Sequence, residues 1–234
     1  MDKKGVSEVI GYLLTFGIVV AVVAVIYASG MPVVEDTKDK SAFQSMETSF
    51  VTLQGHTKKV AFGQSPLRTM KFNLIKGSIG ANDNAGNITV TTDEGGPYTF
   101  QFGNIEYTIG TRKVVYELGA VIESTPGGNI IISDPPIFFT NYSGNKNVFI
   151  SVINVSGDFS AGGGMAEMQI GGPGGLYNVT RDTQVYNSSS PVNNLYINVT
   201  GDYSVAWTRY LNDEFGGFPI SCNLTLVSHN VSIS

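Results

Sequence analysis

The pattern of hydrophobic and polar positions begins with one long apolar run. From Val9 through Val34 there is no Asp, Glu, Lys or Arg. At about 1.5 Å per residue, a helix of this length covers roughly 39 Å, which is enough to cross a hydrocarbon core of about 30 Å. The run is therefore predicted to be a membrane-length apolar helix.

A second helical pattern follows among polar residues. Apolar side chains recur at spacings of three and four, which predicts an amphipathic helix from about Glu35 to Gln54. The residues of this stripe are Phe43, Met46, Phe50 and Leu53. Gly30-Met31-Pro32 is expected to kink or briefly break the helix, because proline lacks an amide donor and restricts the residue before it. Gly55 is expected to end it.

Beyond residue 58 the pattern changes to the alternation typical of strands. The chain has 28 Gly, 11 Tyr and 13 Phe with many β-branched residues, which favours strands joined by tight turns. The predicted strands are 59–62, 70–75, 88–91, 98–102, 105–109, 113–118, 129–132, 137–140, 147–155, 195–200, 220–227 and 230–233. The predicted fold class is α+β, a long N-terminal hydrophobic helix followed by a β-sandwich-like, mostly antiparallel domain with one short late helix.

Turn signals and one helical pattern complete this prediction. Residues 82–86 are expected to form a loop, and Gly103-Asn104 is expected to form a hairpin turn between two strands. The glycine-rich residues 161–175 are predicted to be loops around a short strand. The late helix is predicted from Asp202 to Leu211, with Asp202 as its cap and Gly216-Gly217 as its end.

The residues before the apolar run indicate how the chain is processed. An ordinary secretory signal has an apolar core of about 7 to 15 residues followed by small residues at the cut. Here the run is longer, and Lys4-Gly5 lies before it. With Val6-Ser7-Glu8-Val9-Ile10-Gly11 after this pair, the arrangement resembles the class III signal peptide of archaeal type IV pilins and archaellins. The resemblance implies that a prepilin peptidase cuts between Gly5 and Val6 and leaves the apolar helix on the mature protein.

The same resemblance implies a structural role. It implies a homo-oligomeric pilus-like filament, built by the pilus assembly machinery from subunits that are held in the membrane before assembly. The helix residues implied in assembly are Val9, Ile10, Gly11, Gly17, Val20, Ala21, Val23, Ala24 and Ile26. Bacterial relatives place a glutamate fifth after the cut, whereas here Ile10 holds that position. Glu8 is therefore the candidate partner for the amino terminus of a neighbouring subunit.

Small residues on the apolar helix favour close helix neighbours. They form two stripes about 110° apart, which would let helices approach on more than one side. The stripes are Ser7, Gly11 and Thr15, and Gly17, Ala21, Ala24 and Ala28. The alternative is that Gly and Ala are simply common in membrane helices.

An uncleaved signal anchor is the alternative interpretation of the amino terminus, with Lys3 and Lys4 held on the cytoplasmic side. Both interpretations place residues 35–234 outside the cell. The predicted organisation is a leader at 1–5, a hydrophobic transmembrane and assembly helix at 6–34, an amphipathic extension at 35–57 and an extracellular β-rich domain at 58–234.

Composition argues against several function classes. The net charge is −5, only 14% of residues are charged, and there is no basic cluster, so nucleic-acid binding is not predicted. Cys222 is the single cysteine and is expected to be a buried small hydrophobe in a strand. His56 and His229 are isolated in sequence, and no catalytic or phosphate-binding motif occurs. The sequence therefore predicts no enzyme, no metal and no cofactor.

Eight Asn-x-Ser/Thr sequons predict N-linked glycans. They are Asn87, Asn141, Asn154, Asn178, Asn187, Asn198, Asn223 and Asn230. In strands whose phase can be read, Asn87, Asn198 and Asn223 are on the face opposite the apolar residues, so they are expected to point outward.

Three functions are weighed. The first is a type IV pilus-like subunit at the cell surface that displays a glycosylated β domain, with adhesion as its expected role. The second is a membrane-anchored surface binding protein that does not polymerise. The third is an exported enzyme, which a cluster of perturbed carboxylates in one cleft would favour.

A second resemblance concerns the β-rich part. The segments 67–70, 105–107 and 115–120 resemble an uncharacterised group of archaeal exported proteins that share this kind of amino terminus. This resemblance assigns no activity.

Overall fold

The computed structural model describes residues 3–172, 185–188 and 191–234. These residues form two helices and eleven strands. The helices are α1 (Lys3–Ala61) and α2 (Ser204–Phe215), and the strands are β1 (Leu67–Thr91), β2 (Tyr98–Ile109), β3 (Arg112–Glu117), β4 (Ala120–Thr125), β5 (Gly128–Ser133), β6 (Ile137–Tyr142), β7 (Asn145–Ser156), β8 (Ser160–Gly171), β9 (Val185–Asn187), β10 (Val192–Gly201) and β11 (Ile220–Ile233). The chain divides into two compact units, Met1–Ala42 and Phe43–Ser234.

The first unit contains the apolar run of α1 and the polar turns that follow it, up to Ala42. The helix is continuous through Pro32, so the expected break is wrong. A proline in a helix removes its own hydrogen bond, and neighbouring groups can satisfy the backbone around it. The following turn also carries a bond from the Thr37 hydroxyl to the Val33 carbonyl, at 2.8 Å.

The second unit begins with the remaining turns of α1, where the amphipathic prediction is confirmed. The stripe residues Phe43, Met46, Phe50 and Leu53 are all buried. The helix does not end at Gly55 but runs to Ala61, so the predicted end and the predicted strand at 59–62 are both wrong. Thr57 and Val60 continue the buried stripe, and this burial outweighs the roughly 1 kcal/mol that a glycine costs in a helix.

The strands form one large hydrogen-bonded sheet, in which the order along the main path is β5-β4-β3-β2-β1-β10-β11-β7-β6. Among the described pairs only β7 with β11 is parallel, so the predicted mostly antiparallel α+β fold is confirmed. β8 pairs with both β1 and β11. β8 therefore lies between β1 and β11, and β10 also pairs with both of these strands.

The sheet is buried on both faces. Along β3, Val114 and Tyr116 belong to the core that includes Phe50 of α1. The alternate residue Val115 belongs to a second core, which includes Trp207 of α2. Because side chains of a strand alternate between faces, one strand serves both cores.

Two predicted turns are instead parts of continuous strands. β1 passes through residues 82–86 with an irregular register against β2, and the Asn84 amide donates to Asn82 Oδ1 at 3.0 Å. β2 passes through Gly103 without a hairpin. A Cβ on Gly103 would lie 2.2 Å from the Val155 carbonyl oxygen, so this glycine permits close backbone approach rather than a turn.

Three further predictions are corrected near the carboxyl end. The short strand predicted within the glycine-rich stretch, at 165–170, is present but longer, and the loop predicted before it is wrong, because β8 pairs with β1 along nearly its whole length. Residues 173–175 of that stretch lie outside the described residues. The two predicted closing strands are the single strand β11. α2 begins at Ser204 after Tyr203, without a side-chain cap, so Asp202 is not its cap. Its predicted end is confirmed at Gly216, with φ 69°.

The packing of α1 on the sheet gives a direct stability test. Phe50 is fully buried and its ring lies 6.1 Å from that of Phe72. Phe50→Ala is expected to lower the free energy of unfolding by about 3 to 5 kcal/mol, because it leaves a cavity in the core. The measurement is chemical denaturation of the full chain in detergent. Unfolding is monitored through the fluorescence of Trp207, the one tryptophan.

Val51→Ala is the matched control, because Val51 is the next residue and is 43% exposed. Its effect is expected to stay within about 0.5 kcal/mol. Equal losses in both variants would contradict the packing described for α1.

Candidate functional site

The most exposed apolar surface of the described residues lies on α1. Large hydrophobic side chains between Val9 and Val34 are 41% to 78% exposed. Within the described chain, α1 is the one helix that is long and apolar enough to cross a membrane. Such a surface is unfavourable in water, so it requires lipid or other helices. The helix is compatible with membrane anchoring.

The predicted assembly residues all lie on this exposed part. The larger ones, Val9, Ile10, Val20, Val23 and Ile26, are each at least half exposed. A Cβ added to either predicted glycine, Gly11 or Gly17, would meet no atom within 4 Å. The predicted assembly residues are therefore exposed and could contact other molecules.

The predicted cleavage residues lie at the start of α1. Gly5, Val6 and Glu8 are within the helix, which begins at Lys3. The predicted contact of Glu8 with a neighbouring amino terminus stays a prediction. Cleavage after Gly5 stays a prediction.

Most of the predicted glycan acceptors are on the surface. The exposed ones are Asn87, Asn141, Asn187, Asn198 and Asn223. The outward orientation expected for Asn87, Asn198 and Asn223 is confirmed, since the apolar neighbours Ile88, Ile197 and Leu224 are buried. Asn178 lies outside the described residues.

Two sequons have a structural function. Asn154 and Asn230 are only half exposed. Asn154 Nδ2 donates to Asn230 Oδ1 at 3.2 Å, and Asn154 Oδ1 accepts the Gly103 amide at 2.9 Å. A glycan is attached through the amide nitrogen, so modification of Asn154 would disturb this link between strands β7, β11 and β2.

A polar cluster that sequence reasoning missed lies at one edge of the α2 core. The Trp207 indole N–H donates to the Glu117 carboxylate, and Glu117 is only 2% exposed. Tyr203 donates to Glu106 Oε1 at 2.8 Å, and Lys113 Nζ lies 2.9 Å from Glu106 Oε2. Antiparallel pairing of β2 with β3 brings these residues together. No local sequence motif predicts this cluster, because its residues come from different strands and a helix.

Burial changes the acidity of this cluster. Removal from water, together with the nearby negative charges of Glu106 and Asp202, raises the pKa of Glu117 to about 7, although the bond from Trp207 opposes the shift. Burial together with the bond to Glu106 raises the pKa of the Tyr203 hydroxyl. Glu117 therefore keeps its proton to a higher pH than a free glutamate does, and the Tyr203 hydroxyl is protonated near neutral pH.

A hollow of about 360 Å³ adjoins this cluster and is bordered by Asn104, Glu106 and Asp202. The exported-enzyme interpretation called for perturbed carboxylates in one cleft. Glu117 has the perturbed pKa but does not line the hollow. The hollow is polar, and the two carboxylates that line it are Glu106 and Asp202.

Cys222 is confirmed as a buried residue in a strand. Burial raises the pKa of its thiol to about 11. At neutral pH the thiol is protonated, which makes it a poor nucleophile.

Glu117 gives a pH-dependent stability prediction. The pKa of its carboxyl group is about 7 in the folded state against 4.5 for the free residue. Between these values the unfolded chain releases the proton that the folded chain retains. Glu117 therefore reduces stability as the pH rises from 4.5 to about 7, by about 3 kcal/mol in total.

Glu117→Gln is expected to remove this pH dependence. The free energy of unfolding of the variant should therefore rise relative to that of the natural chain as the pH increases from 4.5 to about 7. The measurement compares denaturation curves of the two chains across the pH range. Glu123→Gln, at a carboxylate paired with Arg112 on a neighbouring strand, is the control. If the free energies of unfolding of Glu117→Gln and the natural chain differ by the same amount at every pH, the raised pKa of Glu117 is contradicted.

Comparison with known proteins adds two relatives and a family. An uncharacterized protein of Archaeoglobus fulgidus is 29% identical over 188 residues, which is 70% of this chain and 69% of the relative. A second uncharacterized protein of the same organism is 37% identical over 77 residues, which is 33% of this chain and 25% of that relative. No solved structure matches the chain.

A model of the family of unknown function DUF7289 matches residues 4–220, from Lys4 to the start of the last strand. The match includes both the apolar helix and nearly all of the β-rich domain. The chain belongs to the family of unknown function DUF7289.

Proposed function

We propose that this chain is a structural subunit of an archaeal type IV pilus-like surface filament. It assembles through its N-terminal hydrophobic helix and displays a glycosylated β domain for adhesion. The observation that carries the proposal is the exposure of every residue from Val9 to Val34 on a helix that has no charged residue in this range.

The proposed mechanism is transfer of this helix between two apolar surroundings. Each Å² of apolar surface left in water costs about 25 cal/mol, so the helix remains in lipid unless another site buries it. A bundle of identical helices provides such a site. The open space at Gly11 and Gly17 supports close helix packing, since small residues let helix backbones approach.

The amino terminus and the relatives support the same proposal. Lys4-Gly5 lies before the apolar run, which is the order that the class III signal peptide implies for a prepilin peptidase. Both relatives come from an archaeon. The exposed sequons, such as Asn87 and Asn198, are in positions where a glycan would face solvent.

The alternative is a membrane-anchored surface binding protein that never polymerises. The hollow of about 360 Å³ favours it, because a binding site gives a single anchored domain a function of its own. The same helix would then serve only as an anchor. Processing and assembly state separate the two functions.

The first test concerns processing. In the source organism, mass spectrometry compares the amino-terminal peptide of the protein in a sheared cell-surface fraction with that in washed membranes. A peptide that begins at Val6 in the sheared fraction is the expected result. Protein found only in membranes, with Gly5 still attached, would favour the anchored binding protein.

The second test places a charge in the helix. Val20→Asp and Val23→Asp are each expected to abolish filaments and to weaken retention in the membrane, because a central charge costs about 2.5 to 3.5 kcal/mol in a membrane helix. Electron microscopy and membrane fractionation provide the readouts. Val20→Leu is the matched control and should assemble normally, whereas normal filaments from either charged variant would refute assembly through this helix.

A further inference from the structure

Strand β5 is an end strand of the sheet. It pairs with β4 alone, so one side of the strand has no neighbouring strand among the described residues. In an antiparallel ladder every second residue directs its N–H and C=O groups away from the partner strand. The regular part of this ladder extends from Gly128 to Ile131, because the register shifts beyond it. This segment therefore has backbone groups to which a further strand could bond.

The sequence of β5 lacks the usual features that prevent edge strands from pairing with other chains. Gly128–Ser133 contains no charged residue and no proline, and Ile130 is 53% exposed. The strand at the other end of the sheet, β6, carries the exposed sequon residue Asn141. In the proposed function a glycan at Asn141 would obstruct pairing there. β5 contains no sequon, so its edge stays accessible.

A groove of about 230 Å³ follows this edge between β5 and α2. On the strand side it is bordered by Asn129, Ile130 and Ile131, and α2 contributes Arg209 and Asp213. These two charged residues are exposed and one helical turn apart. Neither forms a salt bridge with a described residue. The groove therefore presents one charge of each sign beside an apolar strand edge.

A second copy of β5 fits the pattern of this edge. Opposite residues of an antiparallel pair lie on the same face of the sheet, so a twofold axis must pass through a residue rather than between two. Ile130 is the middle one of the three strand residues that border the groove. An axis at Ile130 places it opposite Ile130 of the second copy, and Asn129 opposite Ile131. The two exposed isoleucines would cover each other, and such β-branched pairs stabilise neighbouring strands.

The charges of the groove are also self-complementary. In a twofold contact, residue i of one copy meets residue j of the other, and the reverse contact is made as well. A contact between Arg209 and Asp213 would therefore occur twice and leave no net charge. A second copy thus supplies both the strand and the matching charges.

We propose that β5 is a contact surface between two copies of this chain, which pair antiparallel about a twofold axis at Ile130. Arg209 of each copy then faces Asp213 of the other. Filaments grow through heterologous contacts, so a twofold contact does not repeat along one filament. It would join subunits of neighbouring filaments in the proposed function, or two anchored copies in the alternative. The contact itself requires neither function, because all its residues lie in the unit Phe43–Ser234.

The first test traps the contact as a disulfide in the full chain in detergent. Opposite residues of an antiparallel pair have Cα atoms about 4.5 to 5.5 Å apart, which suits a disulfide. Under mild oxidation, Ile130→Cys is expected to give a linked dimer at least about tenfold faster than Ile75→Cys. Ile75 is the matched control, because it is an isoleucine of β1 that is 68% exposed. Association through α1 would raise the local concentration of both cysteines.

The second test establishes that the partner is a second copy. Combined with Ile130→Cys, Arg209→Asp and Asp213→Arg are each expected to slow linking about fivefold, because like charges then face each other. An equimolar mixture of these two variants is expected to regain the original rate, since one has two anions in the groove and the other two cations. Glu214→Arg is the control, at an exposed residue of α2 that does not border the groove.

Equal rates for Ile130→Cys and Ile75→Cys would overturn the proposal. So would a mixture of the two charge variants that links no faster than either variant alone, which would leave this edge to an extended peptide of another protein. Should Ile130→Cys not fold, a mixture of Asn129→Cys with Ile131→Cys probes the neighbouring opposite pair. Failure here is distinct from failure of the proposed function, because no rate in these tests depends on cleavage after Gly5 or on filament formation.

Discussion

The structure depends on where the apolar surface of α1 is buried. The turns from Phe43 onward lie in a core with the sheet, whereas the turns from Val9 to Val34 expose every side chain. The buried turns are stable within the chain. The exposed turns require surroundings outside it, and this requirement connects the fold to a membrane and, in the proposed function, to other copies of the same helix.

The covering of both sheet faces determines what the β domain can hold. One core includes residues of α1 and the other includes residues of α2, so strand β3 is buried on both faces from Val114 onward. Glu117 nevertheless lies in β3, bonded to Trp207 and 2% exposed. Its carboxyl group can remain there because it binds a proton more tightly than a free glutamate does.

The sequence predicted those elements whose signals are local and periodic. The apolar run, the stripe from Phe43 to Leu53 and the alternation of most strands each carry their own pattern, and the structure confirms them. The predictions at Gly55 and Gly103 are wrong. Gly55 does not end α1, because the buried stripe of the helix continues beyond it. Gly103 does not form a turn but allows β7 to approach β2 closely. The polar cluster could not be predicted, because Glu106 and Glu117 meet only through strand pairing.

Three residues in one small region depart from the usual residue preferences of strands and buried cores. Gly80 weakens the interior of a strand, Asn104 leaves an acceptor unsatisfied, and Glu117 is an acid in a core. Each feature costs stability, and each could be replaced by an ordinary residue of the same strand. Natural sequences agree with their fold at most positions and depart from it mainly at functional sites. Gly80 and Asn104 border the same hollow and Glu117 is buried beside it, so these departures occur together where strands β1, β2 and β3 pair.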